Sequence, residues 1–304
     1  MRVAMAALMT AQERFLFDLN GFLVLRGVLS PDEVKAANTA VDLHASQLHA
    51  RSAAALQNAE ADTPLAAAGP RLDMGGMLYW QKPHCDPFRS ILAHPTLVPY
   101  LTALLGDGYR LDHQPLLIAQ DGDSEGFKLH GGPLTSSGQF NPELQYRFSG
   151  GTMWNSLLAV SVQLTDHGPG DGGFCVVRGS HKLNLPVPDD FANGASEAFR
   201  DHIHQPTTRA GDVVLFSEAT VRLPPTYHQP RALLLSGRVA LAPALALAPA
   251  WALLQRRRYG GHSSAGARRD AVARRTSAPH RALPVCAGDH GQWARVYRAA
   301  RPLL

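Results

Sequence analysis

A strict alternation between Leu158 and Thr165 is the feature that most limits how this chain can fold. The apolar positions in this stretch are Leu158, Val160, Val162 and Leu164. A period of two is typical of a half-buried β-strand, because successive side chains point to opposite faces of a sheet. The run that follows, residues 166–173, is Asp-His-Gly-Pro-Gly-Asp-Gly-Gly and predicts a tight turn. The chain is therefore expected to contain a sheet with one covered face.

Further short apolar segments indicate more strands at similar spacing. They are Gly21–Val28, Tyr109–Gln120, Phe127–His130, Phe174–Val177 and Val213–Phe216. Helices are predicted mainly before them. Thr10 to Glu13 and Ser30 to Glu33 are capping boxes, in which each residue pair can satisfy backbone groups at a helix start. We expect a helix after each box, the second reaching about His49, and another over residues 94–105. The fold class is thus mainly β with flanking helices (α+β), in an antiparallel sandwich or barrel.

Composition excludes several other classes of protein. The chain has 304 residues, 45% of them hydrophobic and 18% charged, which is usual for a globular protein with a substantial core. No apolar run reaches the roughly 20 residues of a membrane span. Cys85, Cys175 and Cys286 are too far apart to form a metal-type pair or a disulfide framework. A reducing, cytoplasmic location is therefore expected.

The positive charge is confined to the end of the chain. Residues 237–304 contain 12 arginines, no lysine and two aspartates, a balance of +10, whereas the whole chain carries +4, so the first 236 residues carry −6. Because the first 236 residues carry a net negative charge, no nucleic acid partner is expected for them. We predict three parts: a ragged extension over residues 1–8, a folded domain over 9–236, and an atypical Ala/Arg/Pro-rich tail over 237–304. A basic tail of this kind can bind nucleic acid or acidic lipids. The alternative is a disordered extension, or a sequence produced by reading a GC-rich gene out of frame.

His130 is the first candidate for chemistry. It ends a short apolar run and is followed at once by Gly131 and Gly132. A histidine at a strand end can direct a ring nitrogen into a cavity, and glycines allow a ligand or the backbone to come close. The alternative is a structural histidine that is hydrogen-bonded to the backbone.

Six motifs in order resemble the phytanoyl-CoA dioxygenase family of non-haem iron, 2-oxoglutarate-dependent oxygenases. They are Gly-Phe-Leu-Val-Leu-Arg-Gly at 21–27, Ser-Pro-Asp-Glu at 30–33, the strand-borne His130, Pro-Gly-Asp-Gly-Gly at 169–173, Gly-Ser-His-Lys at 179–182 and Ala-Gly-Asp at 210–212. The resemblance covers residues 9 to 235. It implies a double-stranded β-helix, also called a jelly roll or cupin-like fold, with helices outside.

The resemblance also implies an activity. Such enzymes bind Fe(II) through two histidines and a carboxylate, leaving positions for 2-oxoglutarate and molecular oxygen. The expected function is hydroxylation of a small organic substrate, an oxidoreductase reaction. An arginine suits the far carboxylate of 2-oxoglutarate, because its fork matches that group.

The implied metal ligands are His130, Glu218 and His228, and the implied cosubstrate clamp is Arg231. The family pattern His-x-Asp is broken here, because position 132 is glycine, so Glu218 is the proposed carboxylate; Asp123 and Glu125 are outside candidates. The pattern would place the distal histidine at Arg222, and His228 follows six residues later. If His228 is the ligand, Arg238 would replace Arg231 as the clamp. The remaining residues considered, which we interpret as turn formers or structural groups, are His167, His181, Asp171 and Asp212.

Two alternatives remain open from the sequence. One is a catalytically inactive relative, a binding protein or remnant with an incomplete metal site. The other is a halogenase-like enzyme, because related iron halogenases have a small residue where the carboxylate is missing. The sequence does not identify the substrate.

Overall fold

The computed structural model describes residues 8–51, 62–63, 65–66, 69–120, 124–135, 137–169, 171, 173–194, 197–223 and 232–240. The predicted extension over 1–8 lies almost wholly outside these residues, and so does the predicted tail beyond Ala240. Within the described ranges, no helix is both long and apolar enough to cross a membrane.

The described residues include five α-helices, which precede or interrupt the strands. They are α1 Ala11–Asn20, α2 Pro31–Leu43, α3 Asp86–Leu92, α4 Leu97–Leu105 and α5 Asp189–Ala192. Both predicted capping boxes are present, with the Thr10 and Ser30 hydroxyls accepting from the Glu13 and Glu33 backbone N–H groups. Gly21 ends α1 in the left-handed region at φ 82°, which glycine adopts without steric cost.

In the part of the chain that the structure describes, twelve strands form a large sheet, a small sheet and a hairpin. They are β1 Phe22–Leu25, β2 His49–Ala50, β3 Leu72–Met74, β4 Arg110–Gln120, β5 Tyr146–Ser149, β6 Thr152–Asn155, β7 Leu157–Gln163, β8 Cys175–Val177, β9 Ile203–His204, β10 Val213–Ser217, β11 Arg222–Leu223 and β12 Ala232–Ala240. The major sheet has the order β1-β10-β7-β12-β4-β3-β2, the minor sheet has the order β11-β8-β9, and β5 and β6 form the hairpin. All the pairings are antiparallel.

Several predicted boundaries need correction. Helix α2 ends at Leu43 and not near His49, and α4 begins at Leu97 and not at residue 94. The predicted strand Phe127–His130 is not a continuous ladder: within it, Phe127 and His130 each make an isolated bridge. Strand β12 continues past residue 236, where the sequence predicted the tail to begin, to Ala240.

The core is divided by the major sheet. On the outer face, Leu158, Val160, Val162 and Leu164 belong to one buried cluster with residues of α1 to α4, as the alternation predicted. The inner face lies against the minor sheet, where the ring of Phe174 is 4.6 Å from that of Phe216. Ala159, Ser161 and Gln163 of β7 face this inner layer and are as buried as their outer neighbours. The strand is therefore covered on both faces, not half-buried as predicted.

Candidate functional site

His130 lies directly opposite the end of the chain segment that follows β10. Its backbone exchanges two hydrogen bonds with Arg222, N to O at 3.1 Å and O to N at 2.9 Å. The Gly132 N–H donates to the Ala219 carbonyl at 2.8 Å, so the contact continues beyond the bridge. Two residues that exchange both bonds have their Cα atoms about 5.5 Å apart and their side chains on one face. The structure thus brings position 222, the expected place of a distal ligand, beside His130.

The imidazole of His130 has a defined orientation. Its Nδ1 is 2.8 Å from the Lys128 carbonyl oxygen, which can only accept, so Nδ1 carries the hydrogen and Nε2 carries the lone pair. The ring is half-buried and lies 6.0 Å from the ring of Phe127. Metal-binding histidines usually have such a bond from the other ring nitrogen to a carbonyl or carboxylate. This geometry fits a metal-binding histidine. It also fits the alternative given above, a structural histidine that is hydrogen-bonded to the backbone.

Different constraints favour glycine at positions 131 and 132, the two residues after His130. A Cβ at Gly131 would lie 2.3 Å from the Thr220 carbonyl oxygen and 2.8 Å from a guanidinium nitrogen of Arg222. At Gly132 the nearest atom would be Val221 Cγ2 at 3.6 Å, an ordinary contact. Among the described residues, no atom crowds a side chain at this position, and the backbone angle, φ 91°, is what opposes one. Position 132 therefore has room for a group larger than hydrogen.

Glu218 and Arg222 form a buried ion pair. Both residues are buried, and the Arg222 Nη2 donates to the Glu218 carboxylate. The Nη1 of the same guanidinium donates to the carbonyl oxygens of Glu218 at 2.9 Å and Thr220 at 3.0 Å. The carboxylate proposed for the metal is thus held by a positive side chain that stands at the predicted ligand position.

The other predicted site residues fall in different places. Asp123, His228 and Arg231 lie outside the described residues, as does the side chain of Arg238. Glu125 is described, and its backbone is bound to Gly69 and Gln120. Among the described residues, no three His, Cys, Asp or Glu side chains converge to hold a metal ion. The described part of the chain therefore does not by itself assemble the expected donor set.

Residues interpreted as structural make local contacts. His167 Nε2 is 3.1 Å from the Thr165 hydroxyl, and Asp171 accepts from the Gly168 N–H at 2.9 Å. Burial raises the pKa of Asp212, but hydrogen bonds from the Arg209 and Gly27 N–H groups outweigh it and lower that pKa. These side chains organise turns.

Among the considered histidines that the structure describes, His181 is the most enclosed. Its Nε2 donates to the Asp18 carbonyl oxygen at 3.0 Å, and its ring meets the Tyr146 ring edge-on at 4.6 Å. Burial, together with the charge of Lys182, lowers the pKa of His181 to about 4. This histidine is neutral at physiological pH and serves packing.

The sequence did not reveal a buried charged pair close to His130. Arg71 is 1% exposed and donates to both carboxylate oxygens of Asp73, from Nε at 2.9 Å and from Nη2 at 3.0 Å. Its guanidinium lies 3.5 Å above the centre of the Phe127 ring. The same ring has the Arg51 guanidinium at 5.4 Å and the His130 ring at 6.0 Å. An Arg-x-Asp spacing on a strand puts both groups on one face, which was the available signal.

No family model and no curated protein matches this chain. Solved structures do match. HygX from Streptomyces hygroscopicus, with nickel, 2-oxoglutarate and hygromycin B bound, has a TM-score of 0.60 at 20% identity over 77% of this chain and 88% of that one. EctD from S. alaskensis with bound Fe gives 0.53 at 24% identity over 76% of each chain.

A third similar structure is SnoN, a non-heme alpha ketoglutarate dependent epimerase from nogalamycin biosynthesis. It matches with a TM-score of 0.51 at 19% identity over 76% of this chain and 83% of that one. Identities this low establish the fold and not the activity. The chain thus has the fold of these iron- and 2-oxoglutarate-dependent enzymes.

Proposed function

We propose that the chain is a non-haem iron, 2-oxoglutarate-dependent dioxygenase of the phytanoyl-CoA dioxygenase type, with a double-stranded β-helix, that hydroxylates a small organic molecule. His130, Glu218 and His228 would hold Fe(II), and Arg231 would bind the far carboxylate of 2-oxoglutarate. When bound, iron and 2-oxoglutarate supply the activation of molecular oxygen. The chain's own residues hold and orient the reactants.

The observation that carries this proposal is the orientation of His130. The bond between its Nδ1 and the Lys128 carbonyl assigns the lone pair to Nε2, which is the form that binds a metal. The half-buried ring and the backbone pairing with position 222 fix where that nitrogen lies. The shared fold with HygX and EctD supports the same class of chemistry.

An anaerobic titration with Fe(II) in the presence of 2-oxoglutarate tests the proposal. His130→Ala should lower the affinity for iron at least 100-fold and abolish consumption of 2-oxoglutarate, because alanine supplies no donor atom. His113→Ala is the matched control, since the His113 Nδ1 makes the same kind of contact, 2.7 Å from the Gln114 carbonyl oxygen. That control should bind iron like the parent protein. Equal, weak binding by all three proteins would refute the proposal.

A second candidate function is favoured by the Arg222–Glu218 pair. A buried guanidinium beside His130 already neutralises the carboxylate that iron would need. The chain would then be a metal-independent binding protein or remnant on the same fold. Titration separates the two functions, because this candidate predicts that the parent protein binds no iron and consumes no 2-oxoglutarate.

A further inference from the structure

Arg222 lies next to His130 and Glu218, two of the residues proposed to hold iron. Its backbone pairs with that of His130, so the two side chains start from neighbouring positions on one face. The guanidinium then folds back along its own chain. One of its nitrogens reaches to 2.8 Å from the place that a Cβ of residue 131 would fill. The positive charge is therefore packed against the edge that carries His130.

Three oxygen acceptors of this guanidinium are groups that a bound metal cation could also contact. The guanidinium binds the Glu218 carboxylate and the two carbonyl oxygens of Glu218 and Thr220. All three acceptors are oxygen atoms gathered in the tight turn over residues 218–222. The plane of the guanidinium also lies near an aromatic face, with Cζ 5.1 Å from the centre of the Phe216 ring. A cationic group is thus built into the turn.

We infer that Arg222 is an internal cation that competes with a metal ion for Glu218, so that the parent chain binds divalent metal at His130 more weakly than its fold allows. A carboxylate that is buried with a guanidinium can serve a metal only if the guanidinium leaves it or if two positive charges share one negative charge. Both arrangements cost free energy in a poorly solvated place. The inference concerns the site of the proposed function but does not require that the site be catalytic.

Three substitutions of Arg222 distinguish the effect of its positive charge on metal binding from the effect of its size and hydrogen bonds. Arg222→Lys keeps a positive charge that can remain with Glu218. Arg222→Gln removes the charge but keeps an amide that can donate to the two carbonyl oxygens. Arg222→His also removes the charge at neutral pH and places an imidazole opposite His130, where two ring nitrogens on one face can share an ion.

The experiment measures the affinity of tag-free, full-length protein for Ni(II) alone by isothermal titration calorimetry after treatment with EDTA. We expect Arg222→His to bind Ni(II) at least ten-fold more tightly than the parent protein, Arg222→Gln to lie between them, and Arg222→Lys to match the parent. Adding His130→Ala to Arg222→His should abolish the gain. That double variant locates the new binding at this turn and excludes histidines elsewhere.

Two results would overturn the inference. One is a folded Arg222→His protein, shown by circular dichroism, that binds no more tightly than the parent. If that variant does not fold, equal affinities of the Gln and Lys variants would overturn it instead. The proposed function fails on a different result, namely that the parent binds no iron and consumes no 2-oxoglutarate. A gain in Arg222→His beside an inactive parent would support the inference and count against the dioxygenase.

Discussion

The two faces of β7 are equally buried but are made of different chemistry. The outer face presents Leu158, Val160 and Val162 to the helices, and the inner face presents Ala159, Ser161 and Gln163 to the minor sheet. The inner polar groups bind one another, with Gln163 Nε2 donating to the Ser161 hydroxyl at 3.1 Å. Alternation in this strand therefore separates a face that stabilises the sheet from a face that lines the layer between the sheets. It does not separate core from solvent.

Substitution on the outer face of β7 should change the free energy of unfolding the most. Val162 is 1% exposed, so Val162→Asp should lower the free energy of unfolding by more than about 3 kcal/mol, because it buries a charge without a partner. Val162→Ile is the matched control and should cost much less. Urea denaturation measures both. A mild effect of the aspartate would mean that this face is hydrated, and the comparison of the two faces would then fail.

The buried His181 should lower the stability of the fold only when the pH falls. The pKa of His181 is about 4 in the folded protein, against an ordinary value of 6.5, so the unfolded chain binds the proton first as the pH falls. Stability should therefore decrease between pH 6.5 and pH 4, by up to about 3 kcal/mol from this residue. In His181→Gln, melting temperatures should vary less over that window, whereas the partly exposed His113→Gln should retain the parent profile.

Substitution on the inner face of β7 should change the free energy of unfolding the least. Ser161→Ala removes one acceptor of the Gln163 amide but leaves the Ser161 carbonyl, which is 3.3 Å from the same nitrogen. The loss of stability should be about 1 kcal/mol. Ala159→Ser is the converse substitution, because it adds a hydroxyl to the same face of β7 from which Ser161→Ala removes one. If Ser161→Ala instead costs as much as Val162→Asp, the inner layer is as tightly specified as the helix-facing core.

Much of the fold could be predicted because its signals are local. The two capping boxes give the starts of α1 and α2, and the period of two gives β7. The hairpin of β5 and β6 was missed because its alternation spans only four residues on each strand. The burial of both faces of β7 could not be predicted, since it depends on the distant minor sheet.

The site was less predictable, because its decisive contact arises from a turn. His130 carried a local signal, a strand end followed by glycines. Glu218 and Arg222 are four residues apart, a spacing that brings charges together on a helix, yet here a tight turn joins them. No periodicity predicts such a turn, so the sequence could place Arg222 at a ligand position but could not pair it with Glu218.

The order of strands in the major sheet has a consequence for synthesis on the ribosome. Strand β1 lies at the edge of the major sheet, and its partner among the described strands is β10, with Phe22 opposite Phe216. The first strand to be made must therefore wait until most of the described chain has been translated before its ladder can close. During that time the apolar segment Phe22–Leu25 has no strand partner, and closing so distant a contact is slow.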